Sequence, residues 1–180
     1  GQDYEVAVRN LVLRPAGMEN TSLARTAIQL RKSSEPIYHM QTTTWLPPYW
    51  TSLEDFSRGD STFAEDTPEP YGRWKIEVMD STGAWLSTAS DLMKMLIALD
   101  REQDPLLAPA TIQQMIARPE HQQTDSVWEG LGWSIFSPFR EVPDTLEDCF
   151  LNRKGALAGT SCVISHHKAG WSFVVLFNCD

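Results

Sequence analysis

Apolar residues recur at helical spacing near the start and in the middle of this chain, and group into short strand-like runs toward its end. From Tyr4 to Leu13, the residues Tyr4, Ala7, Val8 and Leu11 share one helical face, with Asp3 available as N-cap and Pro15 as a stop. A short helix docked on an apolar surface is predicted. The clearest helix is Ala89 to Asp100, where Leu92, Met95, Leu96 and Leu99 form one stripe and Thr88 with Asp91 gives a capping-box-like start. The methionines there read as core. Another helix is predicted from Pro109, near its first position, to about Ala117, with Ile112, Met115 and Ile116 inward and Pro119 as stop. Its N-cap, Ala108, is a poor one.

Residues 22 to 79 hold little periodicity and many breakers, among them Pro36, Pro47, Pro48, Pro68 and Pro70, interleaved with Trp45, Tyr49, Trp50, Phe56, Tyr71 and Trp74. They read as a long irregular excursion with an extended piece near Ile37 to Met40, pinned to the body by aromatic packing more than by ligand contact. Beyond residue 120, Leu131 to Phe136, Asp148 to Lys154, Thr160 to His167 and Trp171 to Phe177 are strand candidates, the last two joined as a hairpin across Lys168-Ala169-Gly170. The expected fold is α+β, an antiparallel sheet with flanking helices. Residues 1–120 supply helices and long irregular loops, and residues 121–180 supply the antiparallel strands. No internal repeat or linker divides them.

With 180 residues, 42% hydrophobic and 22% charged, the chain suits one globular domain or a large part of a bigger one. Its net charge of −9 argues against nucleic acid, whose phosphates call for a basic face. Small molecules or proteins are the expected partners. No window approaches the ~20 apolar residues of a membrane-spanning helix, and no signal peptide opens the chain, so any export signal is expected outside it. Cys149, Cys162 and Cys179 lack the CxxC spacing of zinc or redox sites; buried thiols are expected, with one disulfide possible.

The candidate chemistry concentrates in Asn152-Arg153-Lys154-Gly155-Ala156-Leu157-Ala158-Gly159-Thr160, a basic, glycine-punctuated strand end. An ordinary charged turn is the competing reading. Adjacent His166 and His167 point to opposite faces of a strand and chelate poorly, while His39 and His121 stand alone, so no metal site is expected. No G-x-S-x-G elbow marks a nucleophile. Ser165-His166-His167-Lys168 is a literal S-x-x-K, but at a predicted turn its ends share no helical face. Asp80 reads as a turn residue and Asp91 suits the positive end of its helix. The acidic pairs Glu54-Asp55 and Glu65-Asp66 read as solvated surface.

Several ordered segments resemble the serine β-lactamase and penicillin-binding-protein-related hydrolases, in their class C β-lactamase-like, esterase-like branch. Gly1-Gln2-Asp3-Tyr4 and Pro15-Ala16-Gly17-Met18-Glu19-Asn20-Thr21 look like its T-G-x-x-Y and P-L-G-M-x-x-T runs, with Ala16 where Leu is usual and the leading Thr absent. Gly83-Ala84-Trp85-Leu86-Ser87-Thr88-Ala89-Ser90-Asp91-Leu92 resembles its G-G-x-x-S-T-A-x-D-L helix start, with Ala84 replacing a glycine. Gly130-Leu131-Gly132-Trp133 is similar to its G-L-G-W strand, and the run through Arg153-Lys154-Gly155 and the closing hairpin to its final H-T-G strand pair. The matches span residues 1–21 and 83–178.

The resemblance implies a partial β-lactamase or DD-peptidase-like fold and acyl-enzyme hydrolysis of a β-lactam, peptide or ester without metal or organic cofactor. It favours a periplasmic or extracellular location. The family's S-x-x-K serine and lysine and its Y-x-N tyrosine normally precede the segment matching Gly1. The chain is therefore expected to be a C-terminal portion that lacks the N-terminal half and any catalytic residue, inactive alone, with small-molecule acyl substrates acted on by the parent. At the substrate-binding wall the resemblance gives Arg153 an electrostatic role, lets substrate approach the backbone at Gly155, and makes the Ala156 N–H one oxyanion donor. Lys154 departs from the pattern, replacing a small hydroxyl residue. A non-catalytic binding or assembly module retaining the fold is the alternative. An edge left by a missing half predicts a homodimer or strand exchange.

Overall fold

A computed structural model of the chain describes residues 1–39, 69–71, 76–103, 105–122, 126–137 and 149–179. The first helical run starts as expected, with the Val6 N–H donating to the Asp3 side chain at 3.2 Å. It does not stop at Pro15. Helix α1 (Tyr4–Val8) passes into a π turn (Arg9–Leu13), and α2 (Arg14–Ala16) carries Pro15 in its first turn. A proline inside a regular α-helix strikes the carbonyl four residues back, and the wider π turn relieves that approach. The same extra width rotates the apolar face. Tyr4 and Leu11, expected inward, are 36% and 70% exposed. Leu13, Ala16 and Met18 are buried instead, with Val8 packed against them.

Helix α3 (Ala89–Asp100) has the predicted bounds, and its start is capped by Thr88, whose hydroxyl accepts from the Asp91 N–H at 3.1 Å. It lies between two apolar clusters. Ala98 closes the one built on Leu13, Ala16 and Met18, while Leu96 and Leu99 join the larger one. Helix α4 (Pro109–Ile116) buries Met115 and Ile116 there, and Ala108 provides no side-chain cap, as its chemistry dictates. The indole N–H of Trp128 donates to the Ile116 carbonyl at 3.0 Å, satisfying one of the acceptors that a helix end leaves open. Among the described residues no helix is long and apolar enough to cross a membrane.

Strands β1 (Ser22–Leu23) and β2 (Trp85–Leu86) form a two-residue antiparallel ribbon. The main sheet is an antiparallel meander of β3 (Val127–Glu129), β4 (Ser134–Phe136), β5 (Phe150–Leu157), β6 (Thr160–His166) and β7 (Ser172–Phe177), adjacent in that order. Gly130-Leu131-Gly132-Trp133 is the turn joining β3 to β4, with the Gly130 N–H donating to the Trp133 carbonyl at 2.8 Å, so the strand expected from Leu131 begins only at Ser134. Strand β5 continues past the expected end at Lys154 because β6 pairs with it as far as Leu157↔Thr160. The β6–β7 hairpin turns at Lys168-Ala169-Gly170 as predicted.

One face of the sheet, through Trp128, Ile135 and Leu151, packs on α3 and α4, leaving each of these side chains almost wholly buried. Burying a large apolar side chain contributes about 1.5–3 kcal/mol, so this cluster is the main stabilising element. The extended piece near Ile37 joins the far edge. His39 makes a parallel bridge to Cys179, its N–H donating to the Asn178 carbonyl at 2.8 Å. Of the aromatics in the irregular stretch, Tyr71 is buried and packs on Tyr38, with ring centroids 5.9 Å apart. Met40, Trp45, Tyr49, Trp50, Phe56 and Trp74 lie outside the described residues, as do Glu54-Asp55 and Glu65-Asp66. Cys149, Cys162 and Cys179 form no disulfide with one another, and Cys149 is buried.

Candidate functional site

The length mismatch between β4 and β5 creates the site. Strand β5 pairs with β6 from Leu151 to Leu157 but with β4 only from Phe150 to Asn152. Arg153 to Leu157 therefore present an edge that no strand pairs among the described residues. Backbone N–H and C=O groups alternate in direction along a strand, so every second residue there aims its pair at the open side. Arg153, Lys154, Gly155 and Ala156 are all exposed. Neither desolvation nor a lid of described residues separates them from a ligand.

The two cations differ in freedom. Arg153 Nη1 lies 3.3 Å from Glu129 Oε2, and Glu129 Oε1 accepts in turn from the Ser134 hydroxyl. Both charged side chains are more than half exposed, so the pair contributes at most about 1 kcal/mol, yet it turns the guanidinium toward β3 and offsets its charge. Lys154 alternates to the opposite face of the strand. It makes no ion pair among the described residues.

Gly155 faces Cys162 across the strands, and a Cβ placed on it would lie 2.9 Å from the Cys162 Sγ. Packing inside the sheet thus favours glycine here, independently of any ligand. Gly155→Ala is expected to lower stability by about 1–3 kcal/mol through overpacking. In a Cys162→Ala background most of that loss should vanish, because Sγ is the one atom a Cβ would meet. A urea-denaturation double-mutant cycle reads this directly, and equal losses in both backgrounds would refute it.

Beyond the wall, Gly159 turns the chain with φ +73°, a left-handed conformation that favours glycine. Pro70 and Tyr38 sit against it, close enough that a Cβ would be 2.6 Å from Pro70 Cγ. The Tyr38 hydroxyl donates to Glu35 at 2.8 Å, and burial, then this bond and the Glu35 charge, push its ionisation far above the ordinary tyrosine value. Tyr38 is therefore a neutral packing and hydrogen-bonding group at working pH.

The remaining candidates separate clearly. Ser165 is buried in β6 and Lys168 lies in the turn after it, so their S-x-x-K spacing makes no helical dyad. His167 stacks on Phe150 at 4.1 Å, while His166, on the other face, is buried between Asp100 and Ser172. Asp91 does sit at the start of its helix, but as a fully buried carboxylate. It receives the Asn20 N–H at 2.7 Å, the Thr21 hydroxyl at 3.0 Å and Lys94 Nζ at 3.1 Å. Sequence reasoning missed the Asp91 and His166 networks because their members lie far apart along the chain. A cavity of about 380 Å³ lined by Arg9, Leu13, Arg14, Gly17, Met18 and Glu19 involves no residue of β5. Of its arginines, Arg9 is ion-paired with Glu5 and Arg14 donates to the neutral side chain of Asn10.

An antiparallel meander backed by helices, with a strand edge open at a basic, glycine-bearing run, defines an α+β fold. The comparisons agree. The family model for Beta-lactamase matches residues 1–180, and the chain belongs to that family. No curated protein matches it. Among solved structures it is similar to a penicillin binding protein from Bacillus halodurans, at 18% identity and TM-score 0.61, covering 98% of this chain and 44% of that one. It is also similar to the octameric penicillin-binding protein homologue from Pyrococcus abyssi, at 18% identity and TM-score 0.56, covering 99% of this chain and 34% of the other. A class C beta-lactamase mutant matches at 16% identity and TM-score 0.55, covering 99% and 48% respectively. The chain thus spans less than half the length of each of these structures.

Proposed function

We propose that this chain forms the strand wall of a serine hydrolase that acylates its nucleophile with a β-lactam, peptide or ester and then hydrolyses the acyl-enzyme. The observation that carries this reading is the open edge of β5 from Arg153 to Leu157, where main-chain donors stand beside a basic pair. The Ala156 N–H serves as one oxyanion donor, in line with the role such preorganised donors play in acyl transfer. Lys154, the cation without an ion-pair partner among the described residues, attracts an anionic group of the substrate. The serine, with its lysine one helical turn later, belongs to polypeptide outside these residues, and residues 1–180 alone do not turn over a β-lactam. Labelled penicillin offered to the product of the complete gene tests this. One covalent adduct is expected, on a serine of an S-x-x-K run outside residues 1–180, and an unlabelled full-length protein would sink the reading.

One observation favours a second reading. The Glu129 carboxylate already offsets Arg153, as suits a wall kept for binding or assembly rather than for catalysis. Under that reading penicillin binds without forming a covalent bond, so the same experiment separates the two.

A further inference from the structure

The β5 wall leaves unused a second cluster of reactive groups. His166 is 1% exposed, and both of its ring nitrogens are engaged. Nε2 lies 3.0 Å from Asp100 Oδ1, and Nδ1 lies 2.8 Å from Ser172 Oγ. The three residues come from different elements: Asp100 ends α3, His166 ends β6, and Ser172 opens β7 as the cross-strand partner of His166.

The direction of the hydrogen bonds follows from chemistry. An ionised carboxylate can only accept, so the ring proton sits on Nε2 and points at Asp100. A neutral imidazole then offers the Nδ1 lone pair, and the Ser172 hydroxyl must donate to it. Proton flow is thereby set from serine to histidine, with the aspartate holding the tautomer and ready to stabilise an imidazolium. The two nitrogens are exchanged relative to the common Ser-His-Asp arrangement, but such a site is recognised by the roles and geometry of its members, not by sequence position.

We propose that Ser172, His166 and Asp100 form a second nucleophilic site, separate from the β5 wall, that accepts acyl or phosphonyl groups from activated esters. Access fits this assignment. The base is sealed from water, whereas Ser172 is only half-buried and follows Trp171, which is 56% exposed at the end of an exposed turn. In the reaction Ser172 Oγ bonds to the acyl carbon as its proton passes to His166 Nδ1. The bond from that carbon to the leaving oxygen breaks, and the departing alcohol takes the proton from His166. The acyl group stays on Ser172. This activated serine supports stoichiometric acylation rather than rapid turnover, so the proposal does not depend on the β5 reading.

The test is to incubate the folded 180-residue chain with a fluorophosphonate probe and map the adduct by peptide mass spectrometry. One adduct on Ser172, with loss of fluoride, is expected, and none in Ser172→Ala. Asp100→Asn keeps the size of the aspartate, but its amide can donate as well as accept and so no longer fixes the tautomer, and labelling should slow by at least about a hundredfold while the circular dichroism spectrum is unchanged. His166→Gln should slow it as much. No adduct on the folded chain, an adduct on another residue, or equal labelling of Asp100→Asn would each overturn the proposal. Penicillin acylation of a different serine in the complete gene product is unaffected by any of these results, so the two readings fail separately.

Discussion

Asp91→Ala is expected to lower the free energy of unfolding by about 2–3 kcal/mol, because it removes a buried carboxylate that two donors share. Those donors are the Asn20 N–H and the Thr21 hydroxyl, both aimed at Asp91 Oδ2. Lys94, its third partner, is less affected. That ammonium is partly exposed and also donates to the Gly17 carbonyl at 2.8 Å, so it can rehydrate when the carboxylate is removed. The carboxylate therefore locks the loop after α2 onto the first turn of α3, and its loss frees both.

The same residue sets a pH dependence. Burial alone would raise the Asp91 pKa, but the hydrogen bonds from Lys94, Asn20 and Thr21 together outweigh it and hold the group below the usual carboxylate range. A group whose folded pKa is depressed contributes stability that is complete above its unfolded pKa, about 4, and is lost as pH falls through the folded value. Glu77 acts in the same direction, since bonds from Thr26 outweigh its burial. Urea titrations from pH 7 downward should show stability falling in acid, and Asp91→Asn should flatten that fall. An unchanged acid limb in the variant would refute the assignment.

Gly130→Ala should be comparably damaging, at about 3 kcal/mol, for a steric reason. A Cβ there would collide with the Met115 carbonyl oxygen and with Ile135 Cδ1. The carbonyl cannot retreat, because it accepts the Leu131 N–H at 2.9 Å and belongs to the last turn of α4. Gly132, two residues on, is the control. Its φ of +82° disfavours a side chain, but nothing lies within 4 Å of its Cβ position. Gly132→Ala should therefore cost only the left-handed penalty, about 1–2 kcal/mol. Thermal melts of the two variants decide the matter, and a Gly130→Ala protein as stable as Gly132→Ala would contradict the packing account.

These contrasts explain what could be read from the residues alone. Helix α3 was legible to its ends because the Leu96–Leu99 stripe and the Thr88 cap act locally. Strand β3 was not, since Val127, Trp128 and Glu129 give too few positions for an alternation to register. Pro15 reads as a stop in sequence, and only the π turn before it shows how the chain carries the helix through. At the candidate site, the basic run on β5 was visible as a motif. Its open edge was not, because that depends on where β4 ends, and the pressure on Gly155 depends on the register that brings Cys162 opposite. Asp91 with Thr21, and His166 with Asp100, are joined by tertiary folding across more than sixty positions. No local pattern announces such pairs.

The stagger between β4 and β5 also bears on divergence. Along Arg153 to Leu157 the open edge presents peptide amides and carbonyls, and every amino acid except proline supplies the same ones. Substitution can therefore recolour the rim, as Lys154 does, while the hydrogen-bonding surface beneath stays constant. An edge written in main chain is insulated from drift, so it can stay constant in a fold whose likeness to a solved structure persists at 18% identity.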